Sequence, residues 1–307
     1  MVFWLQKYFY PALRPIKIRW NILVANFFSA FMRLTRLNKP IGIFLLLWPT
    51  YWAVWIAANG NPSIKMLVIF TLGVIVMRSA GCVINDFADR KVDGAVKRTA
   101  MRPLATGELS SKQALIIFFA LLIMAFILVL QLNTNTIKLS VIAVVLASSY
   151  PFFKRFTHLP QVILGAAFGW GIPMAFMATN NSISEVAWWL FAANLCWTVA
   201  YDTQYAMTDR DDDLKVGIKS TAILFGRYDL LIIALLQITT LLLLARVGLG
   251  LGFDLYYYAG LAIAAGFFVY QYQITKNRDR MACFHAFLNN HYAGLMIWAG
   301  LLLNYYF

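Results

Sequence analysis

Two clusters of carboxylates carry the chemistry available to this sequence. In the run from Asn85 to Gly94 (NDFADRKVDG), Asn85, Asp89 and Asp93 are spaced i, i+4, i+8 and so share one face of a helix. In the run from Asp202 to Asp213 (DTQYAMTDRDDD), Asp202, Tyr205, Asp209 and Asp213 follow at i, i+3, i+7, i+11 and again form one stripe. Asp211 and Asp212 point off that stripe and are expected in solvent. Like charges stacked at this spacing destabilise an isolated helix, so the rows need a compensating cation. Hard oxygen ligands suit Mg²⁺, which takes one or two carboxylates together with substrate phosphate. Each cluster is followed by basic residues, Lys97, Arg98 and Arg102 after the first, Lys215 and Lys219 after the second. The combination matches a diphosphate brought in by metal and steadied by basic side chains. Asp89 to Asp209 and Asp93 to Asp213 are both offsets of 120 residues, a weak internal repeat that would turn two acidic faces towards each other.

The elements that must position these rows are apolar. Of 307 residues, 61% are hydrophobic and 13% charged, which excludes an ordinary soluble globule, a disordered chain and a coiled coil. Apolar runs predict about nine transmembrane helices, over 41–58, 64–84, 114–132, 137–150, 159–178, 186–204, 226–245, 254–273 and 282–306. Of the 26 Lys and Arg residues, 22 fall in the N-terminal segment or in alternate connections. The positive-inside rule then puts the N-terminus in the cytoplasm, and an odd number of spans puts the C-terminus on the other side. Net charge is +13, but the basic residues lie between apolar runs and form no nucleic-acid patch. Eleven of the thirteen acidic residues also belong to the cytoplasmic side, an asymmetry that topology alone does not require. The first residues, aromatic and basic, read as an interfacial segment and not as a cleaved leader. Cys82, Cys196 and Cys283 show no ligand or disulfide spacing and are expected as small buried groups, and His158, His285 and His291 as structural or interfacial. Arg78 lies inside a predicted span near its cytoplasmic end, within reach of snorkelling.

At the two acidic motifs the chain resembles the UbiA superfamily of intramembrane aromatic prenyltransferases. The family's N-D-x-x-D-x-x-x-D signature stands here as Asn85, Asp86, Asp89 and Asp93, and its D-x-x-Y-x-x-x-D-x-x-x-D signature as Asp202, Tyr205, Asp209 and Asp213. The stretches RSAGCVINDFADRKVDGAVKRTAMRPLATGELS, YPFFKRFTHLPQVILGAAFGWGIPMAF and YDTQYAMTDRDDDLKVGIKSTAILFG are most similar to the bacterial branch that acts on 4-hydroxybenzoate. The resemblance runs from about Arg33 to the C-terminus; Met101 stands where a polar residue is common. It implies an all-α, polytopic membrane fold, about nine helices bundled around a central cavity. It further implies a single transmembrane prenyltransferase domain over 41–307; the segment before it, residues 1–40, is expected to be cytoplasmic or interfacial from its aromatic and basic composition. The implied reaction moves a polyprenyl chain from its diphosphate to the ring carbon ortho to the hydroxyl of 4-hydroxybenzoate, a step of ubiquinone biosynthesis at the bacterial inner membrane, with the C-terminus periplasmic.

The residues expected to carry this are then Asp89, Asp93, Asp209 and Asp213 through Mg²⁺, helped by Asn85 and Asp202, with Tyr205 placed to position an oxygen or a metal-bound water. Arg98, Arg102 and Lys154 are the expected diphosphate contacts, with Arg36 and Lys39 weaker candidates for the same basic rim. The resemblance and the bidentate fit of guanidinium to carboxylate assign Arg155 to the aromatic acid. Aromatic walls would shield a developing allylic cation from water. Two other readings stay open at this level: a different acceptor (homogentisate, a naphthoate or haem), and a divalent-cation transporter with an acidic vestibule. The second would need ionisable groups along a path through the bilayer, and the outer half is poor in charge.

Overall fold

The computed structural model describes residues 26–307; most of the expected N-terminal interfacial segment falls outside them. Among the described residues the chain is helical with no strand. A first helix, α1 (26–34), is followed by α2 (Ile41–Ala57), α3 (Ile64–Asp89), α4 (Ser111–Val129), α5 (Thr134–Phe153), α6 (Pro160–Gly169) and α7 (Gly171–Asn180). Then come α8 (Glu185–Val216), the short α9 (Thr221–Phe225), α10 (Asp229–Leu251), α11 (Leu255–Thr275) and α12 (Arg280–Tyr306). Among the described residues, five stretches (64–89, 111–129, 134–153, 160–180 and 221–251) are long and apolar enough to cross a bilayer.

Starts and stops follow local chemistry. Ser63 caps α3 and Asn133 caps α5, while Ser110 and Gln113 form a reciprocal capping box on α4. The span expected over 159–178 is two helices broken at Trp170. Pro173 lacks an N–H and its ring clashes with the carbonyl four residues earlier, at Gly169, which places the break. The sixth span does not end at 204: α8 runs on to Val216, 32 residues against the roughly 20 that span a bilayer core, so the second acidic row rides on a helical extension.

The core is aromatic and closely packed. Trp52 stacks on Trp197, and Trp48 on Trp298, with centroids 5.5 Å apart in each pair. Apolar lipid supplies no hydrophobic drive between helices, so close approach and hydrogen bonds take its place. Gly260 of α11 meets Gly300 of α12 so tightly that a Cβ on Gly260 would lie 2.6 Å from the Met296 carbonyl oxygen. A buried amide network joins α8, α10, α11 and α12: Gln237 Nε2 donates to Gln271 Oε1 (2.8 Å), Gln271 Nε2 to Asn289 Oδ1 (3.0 Å), and Asn290 Nδ2 to Gln204 Oε1 (2.9 Å). On the other flank, Ala30 and Leu34 of α1 pack with α3 and α4 around Val83 and Phe118. α5 has only Thr136 and Pro151 buried, since one of its faces is exposed on the outside of the bundle and part of the other walls a cavity.

Candidate active site

One cavity of about 670 Å³ receives both acidic rows. Asn85, Asp89 and Asp93 line it from one side, and Asp202, Tyr205, Asp209 and Asp213 from α8. All six aspartates of these motifs, Asp86 included, are less than a tenth exposed. The expected i, i+4 stacking holds for Asn85 and Asp89 but not for Asp93, because α3 ends at Asp89 and Asp93 opens a separate 3-10 turn over Asp93–Ala95. A third carboxylate on the helix would add like-charge repulsion. Off the helix, Asp93 is instead drawn to Arg102, whose Nη1 is 3.0 Å from both Asp93 oxygens and 3.0 Å from Asp86 Oδ1. The second row keeps its helical spacing throughout.

Basic side chains interleave the carboxylates. Arg98 donates to Asp209 through Nε (2.9 Å) and Nη2, with its guanidinium 4.4 Å from the centre of the Tyr205 ring. Lys154 Nζ reaches Asp89 Oδ2 (2.5 Å) and Asn85 Oδ1 (3.1 Å). Arg36 grips Asp86 at 2.9 and 3.0 Å. Burial pushes the Asp93 carboxyl up to about 6 against the pull of Arg102, and the charges of Asp89 and Asp86 add to the rise. Burial works against the Arg102 guanidinium too, but Asp86 and Asp93 more than offset it and its pKa rises.

Arg98, Arg102 and Lys154 are thus brought to the rows as expected, and Tyr205 sits between Arg98 and Phe287. Arg155 is not: its Nη2 donates to the Ala88 carbonyl (2.5 Å), and the residue does not line the cavity. It sits one residue past Lys154, just beyond the end of α5, and turns to the α3 backbone, where the Ala88 carbonyl accepts from it. Asp212 also departs from expectation, being buried and bonded to Arg280 Nη1 (3.0 Å), while the exposed Asp211 takes Arg280 Nη2 (2.9 Å). Sequence reasoning missed Asp86 as a site residue, although it stands in the first motif. Behind α8, fully buried Asp229 binds Arg210 Nη2 (2.5 Å) and Arg278 Nη2 (2.8 Å), tying the helical extension to the start of α10 and the α11–α12 turn.

The donor chemistry fits a hard divalent cation: carboxylate and amide oxygens on both walls of one buried space. Asp213, buried at 9% exposure, has no ion-pair partner within 4 Å among the described residues. No three acidic, histidine or cysteine side chains are grouped to hold a metal as they stand among the described residues. Arg98, Arg102 and Lys154 occupy the carboxylates and would have to turn aside, towards phosphate oxygens, for a cation to enter.

The profile of the UbiA prenyltransferase family matches residues 46–300, and the chain belongs to that family. Curated relatives carry a more particular name. A 4-hydroxybenzoate octaprenyltransferase of Cronobacter sakazakii is 57% identical over 288 residues, 94% of this chain and 99% of the relative. Another so named, from Aliivibrio fischeri, is 61% identical over 269 residues, 88% of this chain and 94% of the relative. Among solved structures, a UbiA homolog from Aeropyrum pernix K1 matches with TM-score 0.76 at 24% identity, covering 85% of this chain and 97% of that one. A UbiA homolog from Archaeoglobus fulgidus bound to GPP and Mg²⁺ matches with TM-score 0.70 at 19% identity, covering 89% and 98%. These two likenesses establish the fold.

Proposed function

We propose that the protein transfers an octaprenyl or similar polyprenyl chain from its diphosphate to the ring carbon ortho to the hydroxyl of 4-hydroxybenzoate, releasing diphosphate. The observation that carries this reading is the meeting of two buried acidic rows, interleaved with Arg and Lys, at one end of an otherwise apolar cavity. The relatives' name supports the acceptor and the donor. The step serves ubiquinone biosynthesis at the bacterial inner membrane. The N-terminus is cytoplasmic and the C-terminus periplasmic, with nine crossings in a single domain over 41–307 that follows the segment 1–40.

Mg²⁺ is the assigned cation, held by Asp89, Asp93, Asp209 and Asp213 with Asn85 and Asp202. When bound it supplies neutralisation of the charge that develops on the departing diphosphate. Arg98, Arg102 and Lys154, released from their carboxylates, hold the diphosphate oxygens and strengthen that stabilisation in a buried, poorly solvated place. Tyr205, its ring held between Arg98 and Phe287, positions an oxygen of substrate or a metal-bound water. The apolar wall below the rows excludes water, which would otherwise capture the allylic cation as free prenol. The ring of 4-hydroxybenzoate attacks the allylic carbon as its bond to the diphosphate oxygen breaks, and regains aromaticity by losing its ring proton to water or to the released diphosphate.

Purified protein supplied with Mg²⁺, octaprenyl diphosphate and 4-hydroxybenzoate is expected to release diphosphate and form a C-prenylated acid, with no product in excess chelator. Turnover restricted to homogentisate, a naphthoate or haem in the same panel would replace the acceptor. Divalent-cation flux into liposomes without prenyl substrate would replace the whole reading.

A further inference from the structure

We infer that Asp86, the second residue of the first acidic motif, is a positioning residue that holds Arg102 ready for the diphosphate and is not a ligand of the cation. The inference rests on the proposed transfer from a polyprenyl diphosphate. Asp86 lines the cavity at 1% exposure, but it stands one residue, about 100° of helical turn, off the face of α3 that carries Asn85 and Asp89. Its partners set it apart. Among the described residues, Asp89, Asp93 and Asp209 each pair with one basic side chain, and Asp86 pairs with two. Both of its oxygens accept from Arg36 Nη2, Oδ1 at 3.0 Å and Oδ2 at 2.9 Å, and Oδ1 also lies 3.0 Å from Arg102 Nη1. A carboxylate held by two guanidinium groups has its charge more than compensated and offers a cation little net attraction. Arg36 is itself fixed. It takes φ 59°, a left-handed conformation uncommon for a long side chain, and its Nη1 donates back to the Arg33 carbonyl. The turn between α1 and α2 thus brings one guanidinium to Asp86, and the loop after Asp93 brings the other.

Arg102 is the shared partner. Its Nη1 sits 3.0 Å from both oxygens of Asp93 as well as from Asp86 Oδ1, while its Nε and Nη2 donate to no group among the described residues. When Asp93 is given over to the cation, the guanidinium leaves that carboxylate alone. Asp86 keeps its hold on Nη1, and the remaining N–H groups are left for phosphate oxygens, which a planar guanidinium suits. The charges then favour an anion, since Arg36, Arg102 and Asp86 together carry one net positive charge. Without Asp86, Arg102 would have only Asp93 to pair with, and would compete with the cation it should assist.

The test is calorimetric binding of inorganic pyrophosphate in the presence of Mn²⁺. It compares wild type with Asp86→Asn, Asp86→Glu, Arg102→Met and the double variant Asp86→Asn, Arg102→Met, each checked for folding by circular dichroism. Asp86→Asn and Arg102→Met should each weaken binding about 10-fold or more, and Asp86→Glu, which keeps the charge, by less. The double variant should bind within about twofold of Arg102→Met, because Asp86 acts through that side chain. A merely structural role would not give this non-additivity. Should Asp86→Asn fail to fold, the comparison is made in an Arg36→Met background, where one positive charge leaves with the negative one and Asp86→Asn should still cost about 10-fold. A second readout is the ultraviolet absorption of a Cd²⁺–thiolate bond, which a cysteine in a ligand position should give above the background of Cys82, Cys196 and Cys283. It should appear in Asp89→Cys and not in Asp86→Cys. A Cd²⁺–thiolate band in Asp86→Cys, additive losses in the double variant, or unchanged pyrophosphate affinity in Asp86→Asn each overturns the inference. If wild type binds no pyrophosphate with Mn²⁺, the proposed function has failed and not this inference alone.

Discussion

Asp229→Asn removes a charge from a place that cannot tolerate the loss. The carboxylate is 0% exposed and accepts from Arg210 (2.5 Å), from Arg278 (2.8 to 3.1 Å) and from its own helix at Leu230 N (2.6 Å). Breaking one side of a buried pair typically costs about 3–5 kcal/mol. Here the Arg210 and Arg278 side chains keep 21% and 38% exposure, so water recovers part of the loss and the lower figure applies. At roughly 2–4 °C per kcal/mol for a chain of this order of size, about 3 kcal/mol lowers the melting midpoint by roughly 6–12 °C. The assay is thermal unfolding of the detergent-solubilised protein, scanned at one fixed rate because unfolding of membrane proteins is often irreversible. A cycle with Arg278→Gln should show strong non-additivity, above about 1 kcal/mol, because both changes open the same clamp. Arg210 follows Asp209 on α8, so the loosened helix end should also raise KM for prenyl diphosphate more than it lowers kcat. A shift below about 2 °C, or clean additivity with Arg278→Gln, refutes the view that this clamp anchors the second acidic row.

Asp209→Asn should leave the helical fold intact by circular dichroism and lower diphosphate release at least about 1,000-fold, on the scale of losing a group that stabilises transition-state charge. Lys154→Met should raise KM for prenyl diphosphate about 10-fold or more while KM for the acid moves little, read from initial rates with each substrate varied. Gly260→Leu forces a side chain against the Met296 carbonyl and the Gly300 backbone, which cannot yield as a flexible side chain would. Its cost should be about 3 kcal/mol, visible as lowered folded yield and melting midpoint.

Much of the site was legible because helical spacing is arithmetic. Asp202, Tyr205, Asp209 and Asp213 share a face wherever a helix carries them, and α8 does carry them to one cavity. Asp93 shows where that arithmetic stops: its partner Arg102 is placed by a loop, and the helix ends four residues early. Apolar runs located the helices, yet the break at Trp170 and the extension of α8 depend on backbone hydrogen bonding that composition does not record. Lipid and core are both apolar, so no periodicity separates outward faces from inward ones, and the amide network around Gln271 and Asn290 gave no signal. Arg155 and Arg78 are placed by packing that residue spacing does not record. Arg155 sits in a basic string that resembles a site but turns to the Ala88 carbonyl. Arg78 occupies the position of an ordinary snorkelling residue, and its isolation from every described carboxylate is a fact of packing.

The most direct measurement of the central claim is binding of Mn²⁺, followed by electron paramagnetic resonance, with and without inorganic pyrophosphate. Arg98, Arg102 and Lys154 hold the carboxylates in the resting state, so the ion should bind weakly alone and tightly with pyrophosphate. Asp89→Asn and Asp209→Asn should each abolish the tight binding, as the proposed sharing of ion and phosphate between the rows requires. Tight binding that survives loss of either aspartate would contradict a diphosphate gripped from both sides.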